Sequence, residues 1–239
     1  MHELDNLLDS GPMVYHSEQC KFKKYLLEVQ EIFQDNSESI RHYVTDNGKR
    51  YPSVTSILGE TKSPEDKQKL VDWRKRVGED VADAILADSI AIGNRLHNEC
   101  ETFLLGDTAR SMTIREARMM KPMFRYLRNN VDVVLGIEIP LHSHKYRMAG
   151  TCDLVAVHNG VLTVIDFKNS KKYKRKEWVS DYRLQCTMYS MMLEDMYGLR
   201  FKKYKILMSV QDGKYLTFEG DCIDHKKDVI DRIVKYHSK

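Results

Sequence analysis

Two apolar runs on either side of Asn159-Gly160 constrain the fold of this chain more than any other feature. Residues 152–157 and 161–167 each have the apolar content of a β-strand, and the second run is apolar enough to be buried on both faces. Asn-Gly tolerates the positive φ angles of a tight two-residue hairpin turn. The sequence therefore predicts an antiparallel hairpin within a central sheet.

Charged side chains interrupt the apolar pattern at the open end of this hairpin. Asp153 and Asp166 lie at equal distances from the turn, so they should face each other on adjacent strands. Two opposed carboxylates repel by up to about a kilocalorie per mole unless a cation lies between them. Lys168 should project from the same face as Asp166. A surface ion pair would explain Asp166 and Lys168 alone, but the hairpin register favours a divalent-metal site for phosphodiester hydrolysis.

The charge of the chain is clustered and not large. It has 239 residues and a net charge of +3, from 38 basic and 35 acidic side chains, so any affinity for nucleic acid must come from local clusters. A basic run follows the hairpin directly. Its members are Lys171, Lys172, Lys174, Arg175 and Lys176. This run is either a solvated loop or a contact with a DNA backbone, and we favour DNA because the run continues the strand that carries Lys168.

The N-terminus and the cysteines favour a cytoplasmic protein without a metal–thiolate centre. The segment MHELDNLLDSG is acidic and lacks arginine, which disfavours both a secretory signal and a mitochondrial transit peptide. The apolar runs are too short to cross a membrane. The cysteines form no CxxC pair, so zinc and iron–sulfur sites lack their ligand spacing and free buried thiols are expected. The five cysteines are Cys20, Cys100, Cys152, Cys186 and Cys222.

The first half of the chain is predicted to be mainly helical. Residues 18–34 have one apolar side with helical spacing, and a hairpin turning at Asn47-Gly48 follows. Residues 62–106 form a long helical segment with an apolar stripe. The stripe consists of Leu70, Trp73, Val77, Val81 and Ile85. A capping box at Thr113 and Glu116 predicts the start of another helix, which Pro122 should break, kink or restart.

The second half predicts a sheet with flanking helices. Strands at 131–139, 204–210 and 214–219 join the central hairpin. A helix at 178–197, stopped by Gly198, and a C-terminal helix cover the sheet. The fold class predicted is therefore mixed α/β, with a mixed central sheet flanked by helices.

Four separate motifs resemble those of one nuclease family. Gly150-Thr151-Cys152-Asp153, then Asp166-Phe167-Lys168, then Gln185 and Tyr189 resemble the D…DxK…QxxxY signature of RecB-type nucleases in the PD-(D/E)xK superfamily. Upstream, GNRLHNECE with His97 resembles the histidine helix of that family. Together with YPSVTSILGETK and WRKR, the set most resembles the mitochondrial genome maintenance exonuclease family and its phage-encoded relatives. The full set, which spans about residues 50–189 in the right order, is specific, whereas each element alone is weak.

The resemblance implies a restriction-endonuclease-like core and a metal site. Mg²⁺ or Mn²⁺ would be held by His97, Asp153, Asp166 and the backbone carbonyl of Phe167. Oxygen ligands suit both ions, and an imidazole favours manganese. Lys168 would be the catalytic lysine, and Gln185 and Tyr189, on one helix face, would position it or a phosphate. Glu138 matches an acidic position of the family. His97 alone would more often be a solvated or core histidine, and the helix motif favours a ligand.

The resemblance also implies a division of one integrated domain and a path for DNA. Residues 1–50 are an N-terminal elaboration of helix and hairpin, 51–130 a helical arch with the histidine helix, and 131–239 the nuclease core. The arch, residues 64–90, would cover the active site and admit single-stranded DNA. The side chains expected to contact nucleic acid are Ser53, Thr55, Trp73, Arg74, Lys171, Lys172 and Lys174. For Trp73, a core anchor is favoured over a surface on which a base stacks.

The function predicted from the sequence is a metal-dependent exonuclease that acts on single-stranded DNA in replication, recombination or repair. Its partners would be phage or host replication and recombination proteins, and a phage enzyme would work in the host cytoplasm. The proline of the superfamily's name is absent before Asp153, the cysteines of iron–sulfur relatives are missing, and no GxxxxGK helicase motif is present. A structure-specific endonuclease with the same site, or a non-catalytic nucleic-acid-binding protein, are the alternatives.

Overall fold

A seven-stranded mixed sheet with helices on both faces forms the centre of the molecule. The computed structural model describes residues 14–15, 22–37, 40–107 and 111–239. The strands are β1 (Val14–Tyr15), β2 (Lys23–Leu26), β3 (Ile32–Asp35), β4 (His42–Thr45), β5 (Arg50–Pro52), β6 (Val131–Ser143), β7 (Met148–His158), β8 (Val161–Ser170), β9 (Lys203–Val210) and β10 (Tyr215–Asp221). The helices are α1 (Val54–Glu60), α2 (Pro64–Val77), α3 (Glu79–Leu105), α4 (Ile114–Asn130), α5 (Ser180–Tyr197) and α6 (Lys226–His237), with 3₁₀ turns at Lys176–Val179 and Cys222–His225.

The sheet order explains why the central strands are apolar throughout. The large sheet runs β1-β2-β6-β7-β8-β9-β10, and β3, β4 and β5 form a second, antiparallel sheet. One face of the large sheet packs on α1, α5 and α6, and the other packs on α3 and α4. Strands covered on both faces cannot alternate between polar and apolar side chains. The predicted mixed α/β class is confirmed.

The β7–β8 hairpin opens into a fork at its far end. The two strands pair from His158 opposite Val161 to Leu154 opposite Ile165, which is the register predicted from Asn159-Gly160. Beyond that point β7 remains paired with β6, while β8 remains paired with the parallel strand β9. The next residues along the two strands are Asp153 and Asp166. The sheet therefore separates where the two carboxylates were predicted to meet.

The predicted helix at 18–34 is wrong wherever the structure describes it, since β2 and β3 occupy this stretch and residues 18–21 lie outside the described residues. Strand β2 pairs with β6 and buries Lys24, whose ammonium donates to the Leu105 carbonyl oxygen at 2.6 Å. Two side chains of the presumed apolar helix face, Val29 and Phe33, are exposed. Backbone pairing with an otherwise open sheet edge outweighs the helical spacing in this segment.

The long helical segment is confirmed, but it is divided. Gly78, at a φ of 89°, ends α2 and precedes α3. The structure describes all fourteen residues of helix α2, and none of them is buried. Leu70 and Val81 of the apolar stripe are each about half exposed, and Trp73 is only partly buried. The stripe therefore does not reach the core, and the interpretation of Trp73 as a core anchor is wrong.

Helix α4 begins at the predicted capping box and continues through Pro122. The Thr113 hydroxyl accepts from the Glu116 N–H, and the Glu116 carboxylate accepts from the Thr113 N–H. The helix is neither broken nor restarted at Pro122, since α4 is one helix, and a kink there stays a prediction. Three fully buried side chains hold it on the sheet around the proline, which offsets the lost backbone hydrogen bond. They are Met120, Met123 and Leu127.

The cysteines and the helix hydropathy fit the sequence-based picture. Cys100, Cys152, Cys186 and Cys222 are free and buried, and Cys20 lies outside the described residues. In the described part of the chain, no helix combines the length and the apolar character that a membrane crossing requires.

Candidate active site

The fork between β7 and β8 is closed by a side chain and not by a backbone hydrogen bond. Asp153 Oδ2 accepts from the backbone N–H of Phe167 at 2.6 Å. The other oxygen, Oδ1, lies 3.6 Å from His97 Nδ1. Asp153 is 5% exposed. From this buried position it links the two strands and faces the imidazole.

A close helix–strand contact places His97. Gly93, one turn earlier on α3, lies against β8, because a Cβ at this position would be 3.3 Å from Asn169 Oδ1. The Asn169 amide in turn donates to the Ser89 carbonyl oxygen at 3.2 Å. The His97 ring also packs edge-on against Phe167, with ring centroids 6.1 Å apart. Helix α3 is therefore held directly on the strand that carries Asp166 and Lys168.

Glu138 enters the site from β6 with an unusual backbone conformation. Its φ of 43° lies in the left-handed region, which costs a non-glycine residue about 1 kcal/mol. Its carboxylate lies 3.1 Å from His97 Nδ1. The β6–β7 pairs on either side of it, Ile137 with Leu154 and Ile139 with Cys152, place Glu138 across from Asp153. Strain at this point brings a second carboxylate to the imidazole.

Lys168 and Asp166 form a nearly enclosed ion pair. The ammonium donates to Asp166 Oδ1 at 2.6 Å, and the Asp166 side chain is 1% exposed. The second oxygen of Asp166, Oδ2, is buried without a hydrogen-bond partner among the described residues. A buried carboxylate oxygen without a partner is costly, and a bound cation would satisfy it.

The charges of this cluster depend on one another. Burial alone would lower the pKa of His97, but the Asp153 and Glu138 carboxylates outweigh it and raise that pKa to about 9. Burial raises the pKa of Asp153 and of Asp166, against the opposing effect of nearby cations. Burial would also lower the pKa of Lys168, yet the two aspartates raise it. The aspartates and the two cations therefore stabilise one another's charged forms against the effect of burial.

The donor set fits a divalent cation. The ligand atoms of His97, Glu138 and Asp153 all lie within 4.8 Å of one another. Asp166 is not part of this group of three, but its unpartnered oxygen is buried and the carboxylate interacts electrostatically with Asp153 and His97. Carboxylate oxygens with one imidazole suit Mg²⁺ or Mn²⁺. The sequence-based ligand set contained Asp166 and the Phe167 carbonyl, whereas the geometry groups Glu138 with His97 and Asp153; all of these remain candidates.

Gln185 and Tyr189 lie where the sequence pattern predicted a shared helix face. The Gln185 amide donates to the Tyr189 hydroxyl at 3.1 Å, and both side chains are buried on α5. The Tyr189 ring lies against Gly150 of β7, where a Cβ would be 3.0 Å from the ring. Any larger residue at position 150 would push the ring away. Strand β7, which carries Asp153, and helix α5 therefore pack directly against each other.

A cleft of about 710 Å³ lies over the cluster. Its floor contains the site residues Glu138, Asp153, Lys168, Gln185 and Tyr189 together with His97. One wall is the stretch of α3 from Ser89 to Glu101, and the other comprises the second sheet and the start of α1. Ser53 and Thr55 belong to this second wall, with their hydroxyl oxygens 3.0 Å apart.

Comparison with known proteins identifies the family. The profile of the PD-(D/E)XK nuclease superfamily matches residues 16–232, which is most of the chain. The chain belongs to the PD-(D/E)XK nuclease superfamily. It is also similar to human mitochondrial genome maintenance exonuclease 1, at 25% identity over 173 residues. That match covers 68% of this chain, and the chain spans about half the length of its relative.

Other predicted residues of this PD-(D/E)XK nuclease lie away from the cleft. The described residues that line the cleft do not include Trp73 or Arg74. Arg74 instead forms ion pairs with Glu79 and Asp83. Only the last turns of the predicted arch, at Ser89 and Ile90, reach the cleft. Contact of Trp73 and Arg74 with nucleic acid stays a prediction.

The basic run adjoins the nuclease site through one aromatic ring. Lys174 Nζ lies 5.4 Å from the centroid of Tyr182, and Lys168 Nζ lies 5.1 Å from the same centroid. Lys171 pairs with Asp88 of α3 at 3.4 Å, and Lys172 is exposed. The run thus begins at the end of β8 and contacts α3 at Asp88 and α5 at Tyr182.

Two residues of the site region escaped the sequence-based reasoning. Arg41 lines the cleft beside Tyr43, and it precedes a hairpin strand without any motif that marks it. Tyr182 contacts Lys168 from the first turn of α5, one helical turn before Gln185. The spacing of Tyr182, Gln185 and Tyr189 at three and four residues was the available signal, because such residues share one helix face.

Proposed function

We propose that this nuclease is a metal-dependent exonuclease that hydrolyses single-stranded DNA during replication, recombination or repair. One observation carries the proposal. Asp166 in the fork is fully buried, is paired with Lys168 and keeps one oxygen unpartnered among the described residues, beside the group of His97, Glu138 and Asp153. A binding protein has no need to maintain such a costly cluster of charge.

The residues divide the chemical work among them. His97, Asp153, Asp166 and Glu138, with the Phe167 carbonyl, would hold Mg²⁺ or Mn²⁺, and the imidazole favours Mn²⁺. The cation would polarise the scissile phosphate and lower the pKa of a water molecule. Lys168 orients that water or stabilises the negative charge that develops on the phosphate oxygens. Gln185 and Tyr189 would form the part of the cleft floor on which the phosphate lies.

The strand preference rests on the cleft and on the relative. Thr55 is exposed on one wall and would donate to a backbone phosphate, and α3 forms the opposite wall. Ser53 is 2% exposed and caps α1 by accepting from the Ser56 N–H, so its contact with DNA stays a prediction. Residues 64–90, with Trp73 and Arg74, would close over this cleft as an arch when DNA is bound. A strand would then have to enter by its tip. The relative is named an exonuclease, and this name supports entry of the strand by its tip.

Linear and circular substrates test the proposal. With Mn²⁺, we expect linear single-stranded DNA to be degraded to short products, circular single-stranded DNA to resist, and blunt duplex to be attacked poorly. The Asp166→Asn protein, assayed in parallel, controls for contaminating nucleases. Efficient cleavage of the circle would favour the structure-specific endonuclease. Retention of DNA without metal-dependent products would favour a non-catalytic binder.

The cellular setting remains a prediction from the sequence. Phage or host replication and recombination proteins would be the partners of such an exonuclease, and the cytoplasm its location. The relative named above is mitochondrial by name, and this describes the location of that protein alone.

A further inference from the structure

An exposed tryptophan stands at the end of the basic run. Trp178 lies in the 3₁₀ turn Lys176–Val179 between β8 and α5, and 62% of its surface is exposed. The next residue, Val179, is 1% exposed and anchors the turn in the core. The indole is therefore held outward by a rigid turn, although burial of so large an apolar side chain would be favourable.

A series of cations and rings connects Trp178 with the catalytic lysine. Tyr182 lies beside both Lys168 and Lys174, and Lys174 Nζ also donates to the Tyr182 hydroxyl at 3.4 Å. Arg175 follows Lys174 in the chain, and its guanidinium carbon lies 5.8 Å from the centroid of the Trp178 ring. We call Tyr182, Lys174, Arg175 and Trp178 the aromatic–basic track.

This alternation matches the chemistry of a single nucleic-acid strand. Cations contact the phosphates, and an exposed ring offers a surface on which an unpaired base can stack regardless of its identity. A base in a duplex is already stacked between its neighbours and cannot reach such a ring. The turn Lys176–Val179 already presents Trp178 to solvent, so the stacking surface is present without a bound strand.

We propose that Trp178 stacks a base of the single-stranded substrate outside the cleft, while Lys174 and Arg175 hold the adjoining phosphates. This inference rests on the proposed function for the identity of the ligand. The contacts of Lys174 and Lys168 with one ring make the track continuous with the active site, so a strand held on Trp178 is directed to Lys168. A protein partner at the same surface is the competing occupant.

Intrinsic fluorescence tests the stacking directly. The chain has two tryptophans, so Trp73→Phe leaves Trp178 as the sole indole. In EDTA, to prevent cleavage, this protein is titrated with a thymidine oligonucleotide and with an abasic strand of equal length. We expect quenching by the thymidine strand and little by the abasic strand, although anisotropy of an end label shows that both bind. Binding without quenching, or equal quenching by both strands, would overturn the proposal.

Variants at the ring measure its contribution. Trp178→Ala should weaken binding of the thymidine strand by about tenfold and leave abasic binding unchanged, and Trp178→Phe should retain most of the affinity. Because the side chain is exposed, thermal unfolding of both variants should match the parent. Equal weakening on both strands would assign Trp178 to the support of the basic run and would contradict stacking.

The parent protein with Mn²⁺ separates the two proposals. If it degrades the linear strand while Trp178 gives no base-dependent signal, the track is wrong and the exonuclease stands. If base-dependent quenching occurs without cleavage, the track stands and the exonuclease is wrong. Absence of both binding and cleavage overturns both.

Discussion

Asp153 Oδ2 accepts a hydrogen bond from the backbone N–H of Phe167 at 2.6 Å, while Oδ1 of the same carboxylate faces His97. One side chain therefore closes the sheet at its fork and contributes to the candidate metal site. The two tasks can be separated, because an amide can still accept from the Phe167 N–H but carries no charge for a cation.

Two substitutions at position 153 should separate folding from chemistry. Asp153→Asn should retain the parent's thermal stability to within a few degrees and lose metal-dependent cleavage. Asp153→Ala should lose cleavage and also about 1–3 kcal/mol of stability, because the buried Phe167 N–H loses its acceptor. Urea unfolding of the metal-free proteins, with a nuclease assay, measures both. Equal stability of the two variants would contradict the structural part of this assignment.

Asp166→Asn should abolish cleavage at any Mn²⁺ concentration. The change keeps the shape of the side chain and removes the charge that Lys168 and a bound cation share. Asp221→Asn is the matched control, because it breaks the exposed Lys203–Asp221 ion pair, which has a similar length of 2.8 Å. The control should cleave at the parental rate. Turnover by the Asp166 variant at saturating Mn²⁺ would contradict the assignment of Asp166 to the active site.

Lys168→Ala should separate binding from catalysis. Affinity for DNA should stay within a few-fold of the parent, because the lysine side chain is only 18% exposed and other cations line the strand's path. The single-turnover cleavage rate should fall by roughly two orders of magnitude, as for loss of one preorganised electrostatic group. Lys174 contacts the same Tyr182 ring, and Lys174→Ala should have the opposite effect. Its affinity for DNA should fall, while its single-turnover cleavage rate should be retained. If both quantities fell together in Lys168→Ala, the lysine would be a phosphate anchor.

The basic run should set the salt dependence of binding. Replacing Lys171, Lys172, Lys174 and Lys176 with glutamine should weaken binding to strands of any sequence, and the salt slope should fall by about 0.7 for each lost phosphate contact. Replacing four C-terminal lysines is the matched control and should change the slope less. These are Lys226, Lys227, Lys235 and Lys239. An unchanged slope in the first variant would place the run away from the DNA.

Metal binding should release a proton from His97. With a pKa of about 9, the imidazole is protonated near neutral pH in the metal-free protein, and a cation must displace that proton to bind the ring. Because the pKa is raised, release should be about one proton near pH 7 and should vanish as the pH rises through about 9. Apparent metal affinity should rise over the same interval. Calorimetry in two buffers of different ionisation enthalpy measures the release.

The His97→Ala protein is the control for this release. It should bind the metal more weakly and release little or no proton near neutral pH. A parent protein that bound metal at that pH without any proton release would show that His97 is not displaced, and the imidazole would lose its place among the ligands.

The hairpin and its register were predictable because local chemistry determines them. Asn159-Gly160 fixes the turn, and side-chain alternation then fixes which residues face each other, so the register could be predicted as far as Leu154 opposite Ile165, the pair before the two aspartates. The capping box at Thr113 was predictable for the same reason. Both depend on residues that are neighbours along the chain.

What could not be predicted depends on partners distant in sequence. The segment at 22–34 has helical spacing, yet it pairs as β2 with a strand that begins at Val131. The grouping of Glu138 with His97 and Asp153 requires the positions of three separate elements. Pro122 predicted a break that core packing on both sides of it prevents. Tertiary contacts decide each of these cases, and no local pattern contains them.

Glu138 shows where stability and activity favour different residues. Its left-handed backbone would suit glycine, and its carboxylate adds repulsion to a site that already holds Asp153. Selection for the thermal stability of the metal-free chain alone would therefore replace this glutamate. The resulting variant should have a higher melting temperature than the parent and no activity. Strain at Glu138, in a strand whose register also shifts between Val131 and Gly136, is therefore expected of a residue selected for function at the expense of stability.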